Sequence, residues 1–164
     1  MEKKKTLIED LIAALTCLPG VGKKTAQRMT YHLLQRGKED ALNLSDILKE
    51  TVLKTKHCKS CRTLCQGDYC DICSDSSRND DLLCIVESPA DIMNIENSTN
   101  YNGKYFVLLG RLSPLDGIGP DEIGLDMLNE KLSSGIVKEL ILAVNYTIES
   151  DVTAHVISNL ALKN

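Results

Sequence analysis

Tryptophan is absent from this 164-residue chain and phenylalanine occurs once, so any core must be mainly aliphatic. No apolar run approaches the roughly 20 residues of a membrane span. The charged start, Met1-Glu-Lys-Lys-Lys-Thr, leads into no signal-peptide core. No internal repeat or low-complexity tract is present, which excludes repeat architectures. The length allows one medium domain or two small ones. Seven cysteines, an odd number, without an export signal place the expected protein in a reducing cytoplasm.

Four of those cysteines are regularly spaced: Cys58-Lys-Ser-Cys61, eight residues, then Cys70-Asp-Ile-Cys73. Zinc prefers four thiolates in a tetrahedron, and a CxxC step lets one tight turn present two. So short a segment, with few large apolar residues, cannot hold itself together by burial. Zinc–sulfur bonds supply the order instead. Four ligands close the coordination sphere, so the site reads as structural. Two disulfides or a redox CxxC are the competing explanations. His57 and Cys65 lie nearby but outside the paired spacing, and Cys65 reads as a free thiol.

Net charge is −4, yet it is unevenly distributed. Residues 1–62 carry 13 Lys and Arg against 7 Asp and Glu, a net of +6. Residues 81–164 carry 5 against 12, a net of −7. A phosphate-binding surface therefore belongs in the first half. An acidic second half suits a metal or a basic partner.

Thr6-Leu-Ile-Glu9 is a capping box that opens a first helix, with Leu7, Leu11 and Leu15 on one face. That helix is expected to end at Leu18-Pro19-Gly20. A second runs from about Thr25 to Gln35 with Gly37 as its C-cap. Leu44-Ser45-Asp46 opens a third, with Ile47, Leu48, Val52 and Leu53 on its inner face. Between the first two helices lies Leu18-Pro-Gly-Val-Gly-Lys-Lys-Thr-Ala26, which resembles a helix-hairpin-helix. Gly20 and Gly22 allow a sharp turn that exposes amide N–H groups at a helix N-terminus. A DNA phosphate fits there, flanked by Lys23, Lys24 and Arg28, the last two sharing a helix face. Such contacts position a backbone without reading sequence. A plain packing corner with solvated lysines is the other explanation.

Residues 74–80 are polar and mark a boundary. Beyond them come apolar runs of strand length, Leu82–Glu87, Lys104–Leu109 and Glu139–Val144. They alternate with helices expected at Pro89 to about Asn97, about Asp121 to Leu132, and about Val152 to Leu162. A long glycine- and proline-rich loop spans Gly110 to Gly119. Fully apolar strands alternating with helices predict a parallel α/β sheet. Glu87 ends the first strand, and Glu149 and Asp151 follow the third. In open parallel sheets, sites form at the carboxyl ends of strands. The three acids are thus candidates for Mg²⁺ or a basic partner; as simple helix-start acids they would need neither.

The order of these parts resembles the bacterial recombination protein RecR family. The resemblance rests on Leu18-Pro-Gly-Val-Gly-Lys-Lys-Thr-Ala-Gln-Arg28, the four-cysteine knuckle, Cys84-Ile-Val-Glu-Ser88 and Tyr105-Phe-Val-Leu-Leu-Gly-Arg-Leu-Ser-Pro-Leu-Asp-Gly-Ile-Gly-Pro120. It covers essentially the whole chain. It implies a helix-hairpin-helix region at 1–56, a zinc finger at 57–74 and a Toprim domain at 80–164. The fold class is thus α+β in parts: a small all-α region, a knuckle, then a parallel α/β sheet. The resemblance also implies a non-enzymatic mediator of recombinational repair in the bacterial cytoplasm, at the nucleoid. It would act with RecO and RecF to load recombinase on single-stranded DNA, as a ring-shaped homo-oligomer. DNA contacts carry over onto Lys24 and Arg28, zinc ligands onto Cys58, Cys61, Cys70 and Cys73, and Toprim acids onto Glu87, Glu149 and Asp151. The alternative is a Mg-dependent Toprim phosphodiester enzyme of nuclease or topoisomerase type. The chain departs from the family's Glu-Gly-Glu-Ala-Thr-Ala-x-Tyr: Ser150 stands in place of a glycine and Val156 in place of the tyrosine. It also stops at Asn164, where the family continues with a further strand and tail. From this the expectation is that the chain stops at a dimer held through the helix-hairpin-helix end, or self-associates non-specifically, where the family forms tetramers.

Overall fold

The computed structural model describes residues 5–113 and 116–163. Pro114 and Leu115 of the glycine- and proline-rich loop fall outside them. The chain divides after Lys54 into two compact units.

The first unit is helical: α1 (Leu7–Leu15), α2 (Lys23–Gln35) and α3 (Lys38–Lys54). The capping box forms as expected, with the Glu9 amide donating to Thr6 Oγ1 at 3.3 Å and the Thr6 amide to Glu9 Oε2 at 2.8 Å. α1 stops at Leu15, before Leu18-Pro19-Gly20. After α2, the amides of both Arg36 and Gly37 turn back to the His32 carbonyl. α3 begins at Lys38, not near residue 44. Glu39 and Asp40 sit in its first turn, where the helix dipole favours carboxylates. Ala41 and Leu42 propagate the helix from there, so Ser45 and Asp46 lie inside it rather than at its cap. No residue of α1 or α3 is fully buried. The face expected to be inner is open: Ile47, Leu48, Val52 and Leu53 are 54 to 74% exposed. A unit of this size has too little surface to cover both sides of its helices.

The second unit opens with a hairpin, β1 (Lys56–His57) and β2 (Leu64–Cys65), and a one-turn helix α4 (Asp71–Ser74). The α/β part follows: β3 (Asn79–Val86), α5 (Pro89–Ser98), β4 (Gly103–Val107), α6 (Leu125–Ser133), β5 (Glu139–Ala143) and α7 (Ile148–Ala161). All strands of this sheet are parallel, in the order β4-β3-β5. β3 is central, pairing Ile85 with Phe106 on one side and with Leu142 on the other. That is why it reads as a continuous apolar run rather than an alternating one. Leu83 and Ile85 pack with Phe106, Leu128 of α6 and Ile157 of α7. Cys84 and Val86 pack on the other face with Tyr105, Val107 and Ile92 of α5. Full burial of a Leu, Ile or Phe side chain contributes about 1.5–3 kcal/mol, and this sheet holds several.

In this unit two helix starts differ from the sequence expectation, and in the first unit α2 likewise begins at Lys23 rather than about Thr25. α6 begins at Leu125, because residues 121–124 form a turn ending at Gly124 with φ +74°. α7 begins at Ile148 under a Thr147 cap, so Glu149 and Asp151 lie in its first turn. The expected start near Val152 overlooks that Thr147 Oγ1 accepts from the Ser150 amide at 3.2 Å.

Candidate zinc knuckle and nucleic-acid interface

The spacing of the cysteines becomes geometry in the knuckle. The Arg62 amide donates to the Cys58 carbonyl at 2.9 Å and the Cys58 amide to the Thr63 carbonyl at 2.7 Å. This closes a turn around Arg62, whose φ of 65° is unusual for a side-chain-bearing residue. The turn aims Cys58 and Cys61 inward, and α4 brings Cys70 and Cys73 to meet them. Their four Sγ atoms all lie within 4.8 Å of one another. Thiolates sharing one zinc at the usual ~2.3 Å bond length stand about 3.8 Å apart, and Cys61 and Cys70 are already at 3.5 Å. Backbone amides of Cys70 and Cys73 donate to the sulfurs of Cys58 and Cys70, each at 3.4 Å. Those donors favour the charged sulfur that a metal requires. A hydrogen bond from Cys61 is the first cause that holds the Cys73 thiol down at about 5. The same bond, with burial, pushes Cys61 up. Metal binding displaces whatever protons the four thiols carry. His57 is not part of the shell: its Nδ1 faces the Arg62 carbonyl at 2.8 Å. Cys65 packs beside the cluster and donates to the Gly67 carbonyl at 3.0 Å.

The knuckle is joined to the α/β sheet by long-range polar contacts. Arg62 Nη1 donates to the carbonyls of Leu108, at 3.1 Å, and Ile123, and Nη2 to that of Glu122 at 2.8 Å. Its guanidinium also lies over the Phe106 ring, 5.8 Å from the centroid. A Cβ at Gly124 would collide with this guanidinium. Lys104, 8% exposed, donates to the carbonyls of Ile72, Cys73 and Asp75 at 2.7 to 3.2 Å. An ammonium thus satisfies carbonyls at and just after the last turn of α4. The Val107 amide reaches the Cys61 carbonyl at 2.9 Å. Arg62 belongs to the positive charge of residues 1–62, yet it is spent on the sheet. Nothing local to its sequence shows that its partners lie 46 to 61 residues away.

In the first unit, Gly20 has φ +78° and needs glycine for that reason. Gly22 is extended, at φ −81° and ψ 170°, and any residue could adopt that backbone. It is the N-cap of α2, no side chain caps the helix, and a Cβ there would meet nothing within 4 Å. The first-turn N–H groups behind Gly22 thus have no side-chain cap and stand at the positive end of the helix dipole. Lys23, Lys24 and Arg28 are all exposed, on the first two turns.

The three acids do not assemble. Glu87 is 8% exposed and its carboxylate is occupied by Asn145 and Ser150. Asp151 is exposed and Glu149 half-buried. Among the described residues, the only group of three or more Cys, His, Asp or Glu close enough to share a metal is the four cysteines.

A helical hairpin unit, a four-thiolate knuckle and a small parallel sheet with an acid at its strand end define the class of protein that joins a helix-hairpin-helix to a zinc finger and a Toprim domain. Family models agree with each part. The RecR helix-hairpin-helix model matches residues 8–52, the RecR four-cysteine zinc finger domain model 55–75, and the Toprim domain model 81–164. Over 157 residues the chain is 54% identical to "Recombination protein RecR" of Methylococcus capsulatus, spanning 96% of this chain and 79% of that one. The protein of the same name from Xanthomonas axonopodis pv. citri is 53% identical over 95% of this chain and 79% of its own. That from Xylella fastidiosa is 52% identical over 94% and 78%. The chain belongs to the RecR family, and Cys58, Cys61, Cys70 and Cys73 form its structural zinc site. No helix among the described residues is long and apolar enough to cross a membrane.

Proposed function

We propose that this protein is a non-enzymatic, DNA-binding mediator of recombinational repair. In this reading it acts with RecO and RecF to help load recombinase on single-stranded DNA, in the bacterial cytoplasm at the nucleoid. The observation that carries DNA binding is the uncapped start of α2 behind Gly20-Val21-Gly22, with Lys23, Lys24 and Arg28 exposed around it. Amides and helix dipole take one phosphate and the cations flank its neighbours. The acids Glu149 and Asp151 serve a basic partner. The open apolar faces of α1 and α3 support homo-oligomerisation through the helical unit, as a dimer of this chain.

The test is a salt titration of binding to single- and double-stranded DNA. The double variant Lys24→Glu, Arg28→Glu should bind more weakly across all sequences. Its log-affinity against log-salt slope should flatten by up to about two units, one per lost phosphate contact. An unchanged affinity and slope would move the DNA surface elsewhere. The enzyme alternative predicts Mg²⁺- or Mn²⁺-dependent nicking or relaxation of plasmid that disappears in Glu87→Ala, and the mediator reading predicts none.

A further inference from the structure

The Toprim fold leads one to expect a divalent cation held by its strand-end acid, and the carboxylate at that position is already engaged. Glu87 Oε1 accepts from the Asn145 amide at 3.1 Å and from Ser150 Oγ at 2.5 Å, and Oε2 accepts from Asn145 Nδ2 at 2.5 Å. A carboxylate offers about four acceptor positions, so three donors leave little for a metal. Ser150 is wholly buried, and its hydroxyl also accepts from Thr147 Oγ1 at 2.9 Å. The N-cap of α7 is thereby wired through Ser150 into Glu87. The donor contributed by Ser150 is one that a residue without a side-chain hydroxyl or amide cannot supply.

The loop that these bonds hold has little else to hold it. Between Asn145 and Ser150, Tyr146 is 99% exposed and Ile148 82%. Apolar burial cannot fix a segment whose two large apolar side chains are in water. Buried hydrogen bonds to a charged acceptor can, because each is worth more than a neutral one. Glu149 and Asp151 bring no ligand atoms into a common shell with Glu87. The acceptor at Glu87 suits hydrogen-bond donors, not a hard cation that wants several free oxygens.

We propose that Glu87 is a positioning residue and not a cation ligand: its carboxylate latches Asn145, just after β5, to Ser150 in the first turn of α7, and Ser150 closes the latch. The experiment uses the full zinc-loaded chain. Hydrogen exchange of the loop amides is read in Glu87→Gln and Ser150→Ala, and Mn²⁺ is titrated to millimolar concentration while amide NMR line widths are followed. Glu87→Gln loses the charged acceptor and sets one side-chain amide donor among donors. Exchange at Asn145 should rise about tenfold or more, as expected for lost hydrogen bonds to a charged group. Ser150→Ala should give a smaller rise at the same amides. Mn²⁺ should not selectively broaden residues 86–88 or 145–151 in the unmodified chain. A metal ligand behaves oppositely: its neutralisation leaves the loop as protected as before and abolishes a local Mn²⁺ effect. Selective broadening that vanishes in Glu87→Gln overturns the proposal. So does unchanged loop exchange in both variants. If Glu87→Gln does not fold, Ser150→Ala and the Mn²⁺ titration of the unmodified chain decide alone.

Discussion

The two units use apolar residues in opposite ways. In the α/β unit, Leu83, Ile85, Phe106, Leu128 and Ile157 are completely buried. In the helical unit the fully buried side chains among the described residues are Ala26 and Thr30, while Leu42, Leu48, Val52 and Leu53 are each at least 60% exposed. Both sequences carry leucine and isoleucine at regular spacing. Periodicity therefore marks which face wants cover, and not whether the same chain supplies the cover. Thr30 makes the same point: its buried hydroxyl has no hydrogen-bond partner. The helical unit thus leaves its apolar faces open where the sheet closes its own.

Zinc removal should break the comparison most completely. Structural zinc in comparable peptides is worth roughly 10–16 kcal/mol at neutral pH. Chelation should abolish exchange protection across residues 55–75. The loss should spread to Val107–Leu108 and 122–124, where Cys61 and Arg62 reach the sheet. α2 should keep its own exchange pattern. A metal-free chain that retains all its protection, with the cysteines paired as disulfides, would defeat the zinc reading.

Next in size is a matched pair of truncations. Leu83→Ala, at a site with 0% exposure, should cost about 2–5 kcal/mol. Leu48→Ala, at 60% exposure, should stay within about 0.5 kcal/mol in the monomer. Denaturant titration at two protein concentrations sharpens this. If Leu48→Ala becomes costly only at the higher concentration, a second copy covers α3. An equally small cost at every concentration would mean that no second copy covers α3.

Arg62→Ala should cost roughly 2–3 kcal/mol, because three carbonyls lose their donor and buried groups left unpaired are penalised. Arg62→Lys should recover little, since one ammonium cannot reproduce the planar fork. Full recovery by lysine would show that charge alone holds the knuckle to the sheet.

The smallest expected effect is a pH dependence. The Arg78 guanidinium is the main reason that the Glu96 carboxyl is held below the usual range, and Tyr105 adds a hydrogen bond at 2.6 Å. A depressed carboxyl takes up its proton later in the folded than in the unfolded chain. Its contribution is therefore complete above the ordinary carboxylate pKa and is lost as pH falls through the depressed one. The stability gap between the unmodified chain and Glu96→Gln should be widest near neutral pH and shrink steadily below about pH 4.5. A gap constant down to about pH 3 would show that the pair does not stabilise the sheet.

The sequence by itself determined whatever depends on neighbours along the chain. The CxxC steps place two ligands in one turn, so the zinc site is legible from spacing. The Thr6–Glu9 box, the Ser88-Pro89 start of α5 and the apolar strands are legible for the same reason: caps and strand burial act over a few residues. Where two local signals compete, the sequence misleads: Ser45 looks like a cap although Lys38 to Leu42 already propagate α3. Tertiary structure decided the roles of charged and polar side chains. Arg62 counts in sequence toward the phosphate-attracting half but is spent on carbonyls of residues 108, 122 and 123. Glu87 reads as a metal acid but is closed by donors from residues 145 and 150. A side chain's chemistry fixes what it can bind, but only the fold brings a particular partner within hydrogen-bond reach, and in a low-dielectric interior that partner decides what the group does.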